Sequence, residues 1–165
     1  MSSPKEILEK LENSSLFKDW HGQHKNSYLS HFFSQMASNL DLKSNWEIGF
    51  YDKDSNKITV FVAGEKFSVK AEDEVFKKDE DIVERLDMDK VKLTLDKASK
   101  ACKENFSKLF PNEQFGDGFI ILQTIKEKAL WNFSLITKTL KFANVKIDSE
   151  TGELNSHEVV ELVQK

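Results

Sequence analysis

The hydrophobic positions change period several times along the chain, and each change marks an element. Pro4 follows Ser2 and Ser3, a helix start. Ile7, Leu8 and Leu11 then share one helical face, which Leu16, Phe17 and Trp20 extend after a break at Asn13-Ser-Ser. Beyond Gly22, the residues Tyr28, Leu29, Phe32, Phe33, Met36 and Leu40 recur at three- and four-residue spacing, which predicts a second helix broad enough to pack across a sheet. The period then falls to two. Trp46, Ile48 and Phe50 alternate with Glu47 and Gly49, and Ile58, Val60 and Val62 alternate after the turn Asp52-Lys-Asp-Ser-Asn56. Phe67 and Val69 continue as a third strand beyond Gly64-Glu65, which completes an antiparallel meander. Residues 71–81 are charged and predict a connector or the start of a short helix; Ile82, Val83 and Leu86 add one helical turn.

A second unit begins near Val91. Thr94 caps a predicted helix carrying Leu95, Ala98, Ala101, Cys102, Phe106 and Leu109. After Pro111 and the loop Asn112–Gly118, three strands are expected over Phe119–Ile125, Leu130–Thr137 and Leu140–Asp148. A tight turn, Asp148-Ser-Glu-Thr-Gly152, leads to a short terminal helix capped by Ser156 and bearing Val159, Val160 and Val163.

These two units repeat. At an offset of 85 positions Trp46 falls on Trp131, Phe50 on Leu135, Val60 on Val145 and Val62 on Ile147. The fold class read from the pattern is α+β, a duplicated helix plus antiparallel β-meander. Residues 1–25 form an N-terminal helical segment, 26–90 the first helix-plus-meander unit and 91–165 the second. A single continuous sheet is expected, because joining the meanders removes two edges that would otherwise need protection.

The second unit also resembles a PepSY domain over residues 91–157. The pieces are Thr94-Leu-Asp-Lys-Ala98, Trp131-Asn-Phe-Ser-Leu135, and Asn144-Val-Lys-Ile-Asp148 followed by Thr151-Gly-Glu153. The first half is similar to a degenerate copy, since no Thr-Gly turn follows Val62. The resemblance implies cystatin-like packing of a helix on a sheet. Some PepSY proteins are linked to peptidase inhibition, so a regulatory or inhibitory role is what the resemblance implies. Many are secreted or membrane-linked, whereas Met1–Ser15 has no apolar stretch of the signal-peptide kind, and the expected location is cytoplasmic.

Composition narrows the partner. Thirteen Phe against two Tyr describe aromatic packing with few polar handles. Lys and Arg total 24 against 28 Asp and Glu, and Arg85 is the sole arginine, which argues against a nucleic-acid binder because base and phosphate recognition favours the arginine fork. No run reaches the roughly 18–20 apolar residues of a membrane-spanning helix. Asn13, Asn105 and Asn132 begin N-glycosylation sequons, which matter only in a secreted eukaryotic chain.

Candidate chemistry is sparse, and neither a cofactor nor a metal is called for. His21 and His24, with His31 beyond, lack the carboxylate spacing of a zinc helix. Asp52-x-Asp54-x-Asn56 opens like a calcium loop but places Lys57 and Ala63 where glycine and glutamate are required. Cys102 lies on an apolar helical stripe and reads as an inert thiol, with His157 the one histidine in the same half. Gly116-Asp-Gly118 lacks the lysine of a phosphate loop and reads as a flexible turn. Glu72-Asp-Glu74 and Asp79-Glu-Asp81, with Lys77 and Lys78 between, read as a solvated connector.

The functional expectation is a non-catalytic domain that binds protein or peptide, with self-association through sheet edges as one form of it. The edge candidates are Phe67–Val69 and Phe142–Ile147. The alternative is a small-molecule binder or enzyme with an aromatic pocket between helix and sheet. The residues singled out for ligand or partner contact are Trp46, Trp131, Phe115, Phe67 and Phe142.

Overall fold

The computed structural model describes residues 3–74 and 82–162. Two short helices come first, α1 (Pro4–Glu12) and α2 (Ser15–Gly22). Each begins where a serine side chain accepts a backbone N–H, Ser3 from Glu6 and Ser14 from Phe17. Such a cap contributes about 1 kcal/mol. Four strands follow, β1 (Ser27–Met36), β2 (Glu47–Asp52), β3 (Lys57–Ala63) and β4 (Phe67–Glu74). A 3-10 turn at Met88–Lys90 leads to α3 (Leu95–Leu109), capped by Thr94 as the sequence predicts. The chain closes with β5 (Phe115–Ile125), β6 (Lys128–Thr137), β7 (Lys141–Asp148) and β8 (Leu154–Glu161). This is an α+β protein, and no helix among the described residues is long and apolar enough to cross a membrane.

The eight strands of the described residues form one antiparallel sheet in the order β4-β3-β2-β1-β5-β6-β7-β8. Outward from the central pair β1–β5, each wing is a meander of hairpin-connected strands. The helices cover one face. Phe17 of α2 meets Phe50 and Phe61 at 4.9 and 5.7 Å, and α3 lies over β6 and β7. Beneath them Phe32, Ile48, Phe61, Ile120, Leu122, Phe133, Val145 and Ile147 are wholly excluded from solvent.

Four expectations are corrected. Residues 27–36 are a strand, not a helix, and that strand is the middle of the sheet. The first wing is therefore covered by α1 and α2, so the segment 1–25 supplies the helical layer expected from within 26–90. The C-terminal segment is β8 rather than a helix, again because an open strand edge, that of β7, is there to pair with it; Val163 lies outside the described residues. Ile82, Val83 and Leu86 are not helical: Leu86 donates its N–H to Leu29 O at 2.9 Å, tying this strap to β1. Gly116-Asp-Gly118 is a bulged part of β5, and a Cβ on Gly118 would stand 1.8 Å from the Ser134 carbonyl oxygen. Of the charged connector, 71–74 belongs to β4, while Lys77, Lys78 and Asp79–Asp81 lie outside the described residues.

Candidate functional site

Alternation along each strand sends successive side chains to opposite faces. Since Phe32, Ile48, Phe61, Leu122 and Phe133 point toward the helices, their neighbours His31, Phe33, Gly49, Val60, Val62, Phe119, Ile121, Asn132 and Ser134 occupy the uncovered face. On it Phe33, Phe119 and Phe142 form a half-buried row. Phe33 to Phe119 is 5.8 Å between ring centroids, and Phe119 to Phe142 is 5.7 Å. The second contact spans an intervening strand. It fits because β6 places small Ser134 opposite Phe119, while Ile136 lies opposite Phe142.

Polar groups interleave with the row. The Asn144 side-chain amide donates toward Asn132 Oδ1, Ser134 Oγ (2.8 Å) and the Phe133 carbonyl (3.1 Å), and Lys146 donates to Asn144 Oδ1 at 2.6 Å. Lys146 also approaches Glu158 on β8 at 3.5 Å. On the other wing Lys70 pairs with Glu47 at 3.0 Å. These two ion pairs, each with one exposed partner, add little stability, about 0–1 kcal/mol apiece. At the centre the His31 imidazole covers Gly49 and lies 3.0 Å from Ser30 Oγ. Burial holds its pKa below the usual histidine value, opposed by the carboxylate of Glu47.

The residues singled out from sequence divide between the faces. Trp46 and Trp131 are 4% and 1% exposed and pack together at 6.4 Å on the helix side, where the Trp131 indole donates to Leu93 O at 3.1 Å. They fill the core between helices and sheet; the edge of Trp46 alone borders a shallow depression with Leu42 and Ala63. Phe115 packs on Phe106 at 4.9 Å, also on the helix side, and Phe67 packs against the same core. Phe142 is on the open face. Phe67–Val69 does lie on an edge strand, β4, but Phe142–Ile147 lies on β7, which β8 covers. The true edge there is β8, with Val159 and Val160 46% and 47% exposed on opposite faces.

Sequence reasoning missed Phe33 and Phe119. In the sequence Phe33 falls within a helix-like stripe, and Phe119 is one apolar residue in a strongly β-like run. The available signal was alternation of Phe33 and Gln35 against Ser34 and Met36.

The remaining motifs take part in ring packing, a hairpin turn and the α3 core contact. His21 stacks on Phe17 and His24 on Trp20 at 5.4 and 4.6 Å, while His31 is on the opposite face of the sheet. Among the described residues no group of three or more His, Cys, Asp or Glu converges on a point. Asp52, Asp54 and Asn56 build the β2–β3 hairpin: Asp52 accepts the Asp54 N–H at 3.0 Å, and Asn56 takes φ 56°. Cys102 is wholly buried on α3, and that burial raises its thiol pKa far above the usual range. His157 lies against Phe110.

No family model matches the chain, and no curated protein matches it by sequence. Among solved structures it is similar to the crystal structure of a "putative lipoprotein" from Clostridium difficile 630. That likeness has a TM-score of 0.53 at 14% sequence identity and covers 87% of this chain and 90% of the other. At that identity the likeness is one of fold.

Proposed function

We propose that the chain is a non-catalytic protein-binding domain that engages a different protein with the open face of its sheet. The observation that carries this reading is the row Phe33–Phe119–Phe142, half-buried on a sheet whose opposite face is already packed with helices. Eight strands at about 4.8 Å spacing make a face roughly 35 Å wide and about 20 Å along the strands. That footprint, on the order of 700 Å², is close to the ~800 Å² each partner contributes to a standard interface. Interleaving of phenylalanines with Asn132, Ser134, Asn144 and Gln35 matches the mixed character of a non-obligate contact; a permanent self-dimer would be more apolar. The aromatic row gives the partner shape and apolar contact to recognise.

We also propose that the two wings descend from one duplicated helix-plus-meander unit. The 85-residue offset places β2, β3 and β4 near β6, β7 and β8, which supports that descent. The second unit keeps its proposed likeness to PepSY domains, whose Thr-Gly turn corresponds here to Gly152 at φ 82°, its N–H donating to the Asp148 carbonyl at 2.8 Å.

The test is capture from native cells with the wild-type chain and with a Phe33→Ser/Phe119→Ser variant of unchanged thermal midpoint. A stoichiometric partner lost by the variant, with hydrogen-exchange protection on β1, β5 and β7, is expected. A partner held equally by the variant, or a dimer of the chain itself protected on this face, overturns the reading.

A further inference from the structure

A groove of about 950 Å³ runs between α1–α2 and the strap 82–89, at the start of β1 and away from the phenylalanine row. Its floor is apolar: Phe17, Leu29, Phe50 and Leu86 line it, with half-buried Leu8 and Met88 on the walls. The strap is fixed. Leu86 is 3% exposed and bonded to Leu29 O, and the Glu84 carboxylate accepts the Lys126 and Glu127 N–H groups at 2.8 and 2.9 Å. The Tyr28 hydroxyl also donates to Val83 O.

Arg85 stands on that fixed strap. Its guanidinium lies 5.3 Å from the Tyr28 ring centroid, a cation–π contact, and it has no carboxylate partner among the described residues. Lys18 and Lys25 line the same groove from the α2 side. Three carboxylates, Glu12, Asp87 and Asp89, line the groove as well. Asp87 accepts the Asp89 N–H at 3.0 Å, and burial raises the Glu12 pKa, opposed by His21 and reinforced by Glu9, so Glu12 gives up its proton less readily than usual. Asp89 is left as an exposed rim charge.

We propose that this groove is a binding site for a small amphiphilic anion, a molecule with an apolar chain or ring and one carboxylate. The apolar body lies over Phe17, Leu29 and Phe50, and the carboxylate meets the Arg85 fork, whose geometry suits a planar two-oxygen acceptor. A preformed concave site with an apolar lining and few polar anchors is the usual form of a small-molecule site.

Sodium octanoate and 1-octanol are the probes, each titrated into isotope-labelled full-length protein and followed by amide chemical shifts. Saturable octanoate shifts at Gly22, Leu29, Leu86 and Met88 are expected, at least about tenfold tighter than those of 1-octanol. Arg85→Gln should erase that tenfold preference while 1-octanol still shifts the same amides, which shows the groove intact. Three results overturn the proposal: no saturable octanoate shift, equal octanoate affinity in Arg85→Gln, or shifts centred on Phe33, Phe119 and Phe142. The last would assign the apolar probe to the open face, and the protein-binding reading stands or falls separately.

Discussion

The imidazole of His31 covers Gly49 across the β1–β2 ladder, so closely that a Cβ on Gly49 would lie 2.2 Å from His31 Cε1. The glycine supplies the space and the histidine fills it, and the pair sits in the middle of the open face. Gly49→Ala is expected to expel the ring and destabilise the protein by about 1–3 kcal/mol. Denaturant unfolding measures the loss, and a proton NMR titration should show the His31 pKa returning toward its ordinary value.

His31 also makes stability depend on pH. Its folded pKa lies below the unfolded value near 6.5 because burial disfavours the imidazolium. The unfolded chain therefore binds the proton first. The contribution is complete above about pH 6.5 and is lost as pH falls toward the folded pKa. Glu12 acts oppositely: its raised pKa favours the folded state at low pH and loses that contribution as pH rises above about 4.5 through the folded value. Urea midpoints from pH 4 to 8 should show the His31 slope vanish in His31→Gln and the Glu12 slope vanish in Glu12→Gln.

Two glycines should respond with opposite sign. Gly118→Ala would drive a Cβ to 1.8 Å from a backbone oxygen that cannot swing away. A loss of about 3 kcal/mol is expected, with broadened amide signals along β5 and β6. Gly22 ends α2, and nothing lies within 4 Å of the place a Cβ would take there. Gly22→Ala should raise stability by up to about 1 kcal/mol. A thermal melt of both variants separates the two cases.

Cys102 should be silent to thiol reagents in the folded protein. It is 0% exposed and its thiolate is suppressed by burial. Alkylation by iodoacetamide is expected to follow the rate of unfolding and to accelerate with urea. Rapid labelling without denaturant would contradict the burial.

Gly152 closes the β7–β8 turn at φ 82°, where an L side chain is strained. Gly152→Ala is expected to cost about 1–2 kcal/mol. Hydrogen exchange should quicken first along β8, which is held through β7 alone.

Helix starts and most strands were legible in the sequence because they rest on local chemistry. Ser3, Ser14 and Thr94 satisfy N–H groups within their own turn, and Ile58, Val60 and Val62 alternate whatever lies beside them. The turn at Asp148–Gly152 is equally local, since Asp148 Oδ1 accepts the Glu150 and Thr151 N–H groups.

β1 was not legible, and its bulge is the reason. The register shifts between Leu29 and His31, so Leu29 and Phe32, three residues apart, reach the same face. A spacing of three imitates a helix. Phe33 adds an apolar residue on the opposite face, because a central strand under helices still carries contacts on its open side. Val159 and Val160 mislead similarly at β8.

The sequence by itself thus determined the caps, the hairpin turns and the alternating strands, all set by contacts within a few residues. Only the tertiary structure decided that 27–36 joins the two wings, that Trp46 and Trp131 fill the core, and that Phe33, Phe119 and Phe142 meet. Those outcomes depend on which strand edges were available and which face the helices covered. Both are settled between residues far apart in the chain, where local spacing carries no information.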